Sequence, residues 1–116
     1  MKENIIINSL GSYSFYKCSG LKNIVIGKSV TNIDSDIFDG CSDLENIVVE
    51  DGNTVYDSRD NCNAVIQTSN NTLILGGLST VVPEGVVSIS SYAFSGRTKL
   101  SSLVVADGNT VYDSRD

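Results

Sequence analysis

Apolar residues in this chain recur at spacings of two and three, not in helical steps, and Ile and Val dominate them, which predicts short β-strands. The pattern also repeats. Leu10, Phe15, Cys18, Leu21 and Ile24 return 23 residues later as Ile33, Phe38, Cys41, Leu44 and Ile47. A longer period of 56 carries Ile33 to Ile89, Phe38 to Phe94, Leu44 to Leu100 and Ile47 to Leu103. The same period brings VEDGNTVYDSRD (residues 49–60) back as VADGNTVYDSRD (105–116), changed only from Glu50 to Ala106. The long period is thus one 23-residue unit followed by a stretched unit of 33. The shared template runs L-x-x-I-x-I, a break, V-x-x-I, then F-x-x-C or R, with Val86, Ile89, Phe94, Arg97 and Leu100 in the later slots.

A unit of this size cannot bury its own apolar side, so neighbours must stack and place like residues over one another. One strand is expected at 24–26, 47–49, 81–82 and 103–105, and a second set at 5–7, 30–33 and 86–89. In the stretched part, residues 50–76, Asp51-Gly52-Asn53 and residues 57–61 carry turn chemistry. Ala64-Val65-Ile66-Gln67 and Thr72-Leu73-Ile74-Leu75 then flank a polar tip at 68–71, which predicts an inserted β-hairpin. The only proline, Pro83, closes the strand at 81–82, where a missing N–H is tolerated.

Composition narrows the function. The 116 residues are 41% hydrophobic and 19% charged, enough for one cored domain. A net charge of −6, with eight basic residues scattered singly, argues against nucleic acid as a partner, since phosphate binding needs a basic stripe. The N-terminal stretch MKENIIINSLGS is neither a signal peptide nor a membrane span. Three cysteines do not make a disulfide framework.

Residues 29–49, SVTNIDSDIFDGCSDLENIVV, and 82–94, VPEGVVSISSYAF, resemble the BspA-type leucine-rich repeat. The resemblance covers nearly the whole chain, hairpin insertion included; the departures are Gly27 in a usual proline slot and Arg97 in a usual cysteine slot. It implies a β-rich α/β solenoid, an elongated right-handed leucine-rich-repeat coil of short parallel strands with about 23 residues per repeat. Four to five rungs over residues 1–116 are expected, as a single unit or a fragment of a longer array. It also implies a non-catalytic adhesion or protein-interaction module of a bacterial surface or secreted protein. Its partner would be a protein, such as host matrix or another cell surface. The alternative is a structural spacer with no ligand of its own.

Several features have bland readings that outweigh the chemical ones. Cys18 and Cys41 share a slot, and stacked thiols suit their parallel Cβ vectors better than a bridge does. Cys62 has no partner visible in the sequence. Arg97 in the third slot suggests that this ladder nears the surface or frays there. Asp34, Ser35 and Asp36, with Glu45 at the twelfth place, resemble the start of a calcium loop. Phe38 and Asp39, however, stand where an oxygen ligand and Gly are required. Asn70-Asn71-Thr72 is a sequon in form and a turn in a bacterial protein. With no His, the commonest general base and metal ligand are missing. Asp57, Asp60 and Asp113 lie in the duplicated turns, so no enzyme, cofactor or metal site is expected.

Strand alternation supplies the candidate site. If Ile24 and Ile26 point inward, Val25 points outward, together with its repeat equivalents Val48, Val81 and Val104. An exposed valine row flanked by Lys22, Asn23, Glu45, Asn46 and Ser102 is expected to bind a protein partner. The chain begins inside one unit and stops inside another. Either it is a segment of a longer array, or its open ends pair between molecules.

Overall fold

The short Ile and Val runs at 5–7, 24–26 and 47–49 lie side by side, and so do those at 81–82 and 104–105. The computed structural model describes residues 4–7, 18–33 and 37–112. Strands β1 (Asn4–Ile7), β2 (Asn23–Ile26) and β3 (Asn46–Val49) form a parallel sheet in that order. Asn23 sits opposite Asn46 and Ile24 opposite Ile47, one 23-residue period apart. β1 belongs to this ladder and not to the second set, since Asn4 pairs with Asn23 after a shorter step. Alternation is clean in β2 and β3: Ile24, Ile26, Ile47 and Val49 are buried while Val25 and Val48 face out. Leu10 and Phe15 of the template, residues 34–36 and Asp113 lie outside the described residues.

The chain then runs through β4 (Tyr56–Asp57), a 3-10 turn at Arg59–Asn61, β5 (Ala64–Gln67) and β6 (Thr72–Gly76). β5 and β6 make the expected antiparallel hairpin, with a register shift between Val65 and Ile66. Its tip is a turn in which Asn71 adopts φ 54° and the Asn70 side chain accepts the Thr72 N–H at 3.2 Å. The sequon residues are therefore turn residues. β7 (Val81–Val82), β8 (Ser88–Ile89) and β9 (Val104–Val105) complete the fold. β7 and β9 are parallel, with Val81 opposite Val104, and β8 pairs parallel with β6. Among the described residues the fold is strand-rich without an α-helix.

The hairpin lies inside the fold instead of projecting from it. Ala64, Val65 and Ile66 are all fully buried. Val65 and Leu75 pack into one core cluster with Leu21, Ile24, Phe38, Leu44 and Ile47, while Ala64, Ile66 and Leu73 pack into the other with Val82, Val86 and Ala93. A strand that serves two cores has no polar face, which is why Ala64-Val65-Ile66 reads as an unbroken apolar run. Each fully buried Leu, Ile or Phe contributes roughly 1.5–3 kcal/mol, so the hairpin joins the two halves energetically.

Three further expectations change. Residues 30–33 do not form a strand. Val30 N–H closes a turn on the Gly27 carbonyl, and the Tyr56 hydroxyl accepts the Ile33 N–H at 3.1 Å and reaches the Thr31 carbonyl at 3.5 Å. One side chain thus satisfies the backbone groups that a neighbouring strand would have paired. At 86–89 only Ser88 and Ile89 are strand, because Val86 N–H is turned back onto the Pro83 carbonyl. Nor is the chain elongated: it measures 37 × 31 × 21 Å, since each rung adds only about 4.8 Å.

Arg97 neither nears the surface nor frays; it is 5% exposed. Its Nε donates to the Gly76 carbonyl at 2.9 Å, and one terminal nitrogen donates to the carbonyls of Phe38 at 2.9 Å and Ser95 at 2.7 Å. Burial lowers its pKa, opposed by the fields of Cys41 and Asp39. The guanidinium stitches together turns that lie a long period apart. Ser95 Oγ donates to Asp39 at 2.8 Å and Lys99 pairs with Asp43 across the same seam. The seam is tight: a Cβ on Gly96 (φ 80°) would come within 2.1 Å of the Gly40 nitrogen. Only glycine fits that approach.

Candidate interaction surface

The outward valines of the sheet form two pairs and not one row. Val25 lies beside Val48 in β2–β3, and Val81 beside Val104 in β7–β9. Val48, Val81 and Val104 are 48%, 38% and 52% exposed, while Val25 is half-buried. Between the pairs runs the stretched unit. Ser58 Oγ accepts the Val49 N–H at 2.9 Å, Asn63 Oδ1 accepts the Ile47 N–H at 3.3 Å, and the Cys62 carbonyl accepts the Val81 N–H at 3.0 Å. Part of the insertion therefore occupies a rung of its own, spaced by positive-φ residues Asp60, Asn61 and Asn63. Side chains supply the hydrogen bonds that a regular strand would have made. The register hid this rung, because residues 58–63 lack the Ile and Val pattern.

The polar neighbours fall along the edges of the two pairs. Asn46 Nδ2 donates to Asn23 Oδ1 at 2.7 Å, and the Lys22 carbonyl accepts the N–H groups of Glu45 and Asn46. Glu45 accepts from Ser79 Oγ at 3.3 Å, tying β3's approach to that of β7. Lys22, Glu45, Asn46 and Ser102 are exposed. The structure thus gathers Lys22, Asn23, Glu45 and Asn46 beside Val25 and Val48, and leaves Ser102 beside Val104.

A cavity of about 410 Å³ opens next to Val48, lined by Glu50, Asp51, Tyr56, Asp57, Arg59 and Asp60 among others. Nothing in the sequence marks it, since Asp51, Asp57, Arg59 and Asp60 carry turn chemistry. Arg59 clamps Asp57 with two bonds of 2.7 Å and spans to Asn71 Oδ1 at 2.9 Å. Thr68 Oγ1 donates to Asp57 at 2.7 Å. Burial pushes the Asp57 pKa up, but the bonds from Arg59 and Thr68 outweigh it and hold the carboxyl below its usual range. The same bonds from Asp57 raise the Arg59 pKa. Arg59 and Asp57 are therefore committed to each other.

Cys18, Cys41 and Cys62 are all thiols. Cys41 and Cys62 are buried, and desolvation raises both pKa values, that of Cys62 to about 11. The Cys62 thiol lies 3.8 Å from the Ala64 carbonyl, the contact the sequence did not reveal. Among the described residues no cluster of His, Cys, Asp and Glu could hold a metal ion, and no helix is long and apolar enough to cross a membrane.

The duplicated DGNTVY segment has a defined task. Asn53 Nδ2 donates to the carbonyls of Gly27 and Val30, and its Oδ1 accepts the N–H groups of Val55 and Tyr56. Asn109 repeats all four bonds with Pro83, Val86, Val111 and Tyr112. Gly27 and Pro83 are thus the same slot; the glycine N–H bonds Ile7 O at 2.6 Å. Parallel strands in register, the buried equivalents Leu21 and Leu44 and Ile24 and Ile47, and an asparagine clasp made twice mark a leucine-rich repeat fold. The chain belongs to the BspA-type leucine-rich repeat family, whose profile matches residues 2–74 and 77–115 in six copies. It is also similar in structure to a leucine-rich repeat protein from Eubacterium ventriosum ATCC 27560, with TM-score 0.65 and 28% identity over 89% of this chain. The chain spans 28% of that protein's length. No curated protein matches it.

Proposed function

We propose that the chain is a non-catalytic protein-interaction module, part of a right-handed repeat coil in a bacterial surface or secreted adhesion protein. The observation that carries this reading is the exposed valine face. Val48 in one sheet and Val81 and Val104 in another stand out to solvent, the first beside Lys22, Asn23, Glu45, Asn46 and the cavity, the last beside Ser102. Exposed apolar side chains with polar neighbours suit a protein ligand such as a matrix protein or another cell's surface. The 23-residue steps from Asn23 to Asn46 and from Val81 to Val104 support a coil of about 23 residues per repeat.

A pull-down against matrix proteins and neighbouring cells tests the reading. Val48→Asp with Val104→Asp should abolish capture while circular dichroism stays unchanged; capture that survives in the folded variant refutes it. The spacer reading draws support from the clasps, because Asn53 and Asn109 spend every polar atom on the chain itself. A spacer would retain no partner even in wild-type form.

A further inference from the structure

The cavity beside Val48 has a charge balance that specifies what it can hold. Arg59 and Asp57 on its lining cancel each other through their paired 2.7 Å bonds. Glu50, Asp51 and Asp60 remain on the lining, all exposed. The Lys28 N–H donates to Glu50 Oε1 at 2.9 Å and aims that carboxylate, while the Lys28 stem lies over Gly52 and its charge offsets one of the three. Val49 and Tyr56, both buried, add apolar surface to the same lining. The duplication shows that the turn does not need the extra charge. Residues 49–60 and 105–116 differ only at Glu50 and Ala106, and both N–H groups reach the preceding repeat at 2.8 Å. The backbone therefore takes the same course with or without the carboxylate.

We propose that this cavity receives a lysine or arginine side chain of a protein partner, with an apolar neighbour of that side chain resting on the exposed Val48. The inference rests on the protein-interaction reading of the valine face and names the partner's chemistry: a basic segment flanked by apolar residues. A lysine or arginine matches the lining because its stem is apolar and only its end is charged. Tyr56 and Val49 meet the stem, and Glu50, Asp51 and Asp60 meet the cation. The net charge of −6 works in the same direction, steering a basic partner toward this chain and turning acidic ones away.

The test titrates the nitrogen-15-labelled full chain with the end-capped tripeptides Val-Lys-Val and Val-Arg-Val and follows the backbone amide shifts. Saturable shifts centred on residues 48–61 are expected, and none there with end-capped Val-Glu-Val or Val-norleucine-Val. Glu50→Ala with Asp60→Asn should weaken lysine-peptide binding roughly fivefold. Asp107→Asn, which removes a carboxylate from the second copy, should leave it unchanged. The double variant suits the fold, since Ala106 already fills the Glu50 slot and Asn tolerates the φ of 58° at Asp60. No saturable binding, equal binding of the glutamate peptide, or binding indifferent to the double variant overturns the proposal. The pull-down separates it from the reading it rests on. Capture lost with the two valine changes yet kept in full by Glu50→Ala with Asp60→Asn overturns this proposal alone. Cavity-dependent binding of the lysine peptide by a wild-type chain that captures no protein supports the cavity's preference and counts against the wider reading alone.

Discussion

Removing the Asn53 side chain amide isolates the device that the duplication preserves. In the native chain Nδ2 donates at 3.1 Å to Gly27 O and at 2.9 Å to Val30 O, and Oδ1 accepts two N–H groups at 2.8 Å each. Four bonds at a net ~0.5–1.5 kcal/mol each set a ceiling of roughly 2–6 kcal/mol. The residue is half-buried, so water replaces part of what is lost, and Asn53→Ala should cost about 2–3 kcal/mol. At this length that lowers Tm by roughly 6–15 °C. Asn53→Asp keeps the acceptor but turns a carboxylate oxygen toward two carbonyls. It should be at least as damaging at pH 7, and recover partly on acidification as protonation restores a donor. Asn109→Ala removes the same bonds beside a less buried core and should cost about 1 kcal/mol. The double variant should show the sum to within ~0.5 kcal/mol, the sites being well separated. Urea unfolding followed by circular dichroism measures all four. A loss below ~0.5 kcal/mol for Asn53→Ala, or a harmless Asn53→Asp, would refute the clasp.

Three other outcomes follow from the geometry. Arg97→Ala strands the buried carbonyls of Gly76 and Phe38 and frees the half-buried one of Ser95, and should cost about 2–5 kcal/mol in the same urea assay. Asp57 has a folded pKa below its unfolded one, so its contribution is present above the unfolded value and lost as pH falls through the folded one. Melting curves should show stability dropping below about pH 4, and less steeply in Asp57→Asn. Cys62, 2% exposed with its pKa pushed up to about 11, should resist iodoacetamide at pH 8 in the native chain and react in urea, as mass mapping would show.

The parallel ladder was legible because Ile24, Ile47 and their equivalents obey both the period of 23 and the alternation of a strand. The hairpin was legible from its turn and its flanking runs. Its burial was not, since a strand packed on both faces looks the same in sequence as any short apolar run. Arg97 misled for a related reason: charge signals exposure, and only the tertiary arrangement supplies three carbonyls at the right places. The candidate valine face was half legible. Alternation gave the outward direction of Val48, Val81 and Val104, but no apolar pattern marks residues 58–63 as a rung, because Ser58 and Asn63 hold it with side chains. The cavity beside Val48 is a by-product of that same rung.

Part of the insertion takes a place in the stack between β3 and β7. Amide exchange with cross-hydrogen-bond couplings in solution tests it directly. A protected Val81 amide coupled to the Cys62 carbonyl is expected, beside parallel contacts of Val25 with Val48 and Val81 with Val104. A Val81 amide bonded instead to a β3 carbonyl, with Val48 and Val81 as strand neighbours, would contradict it.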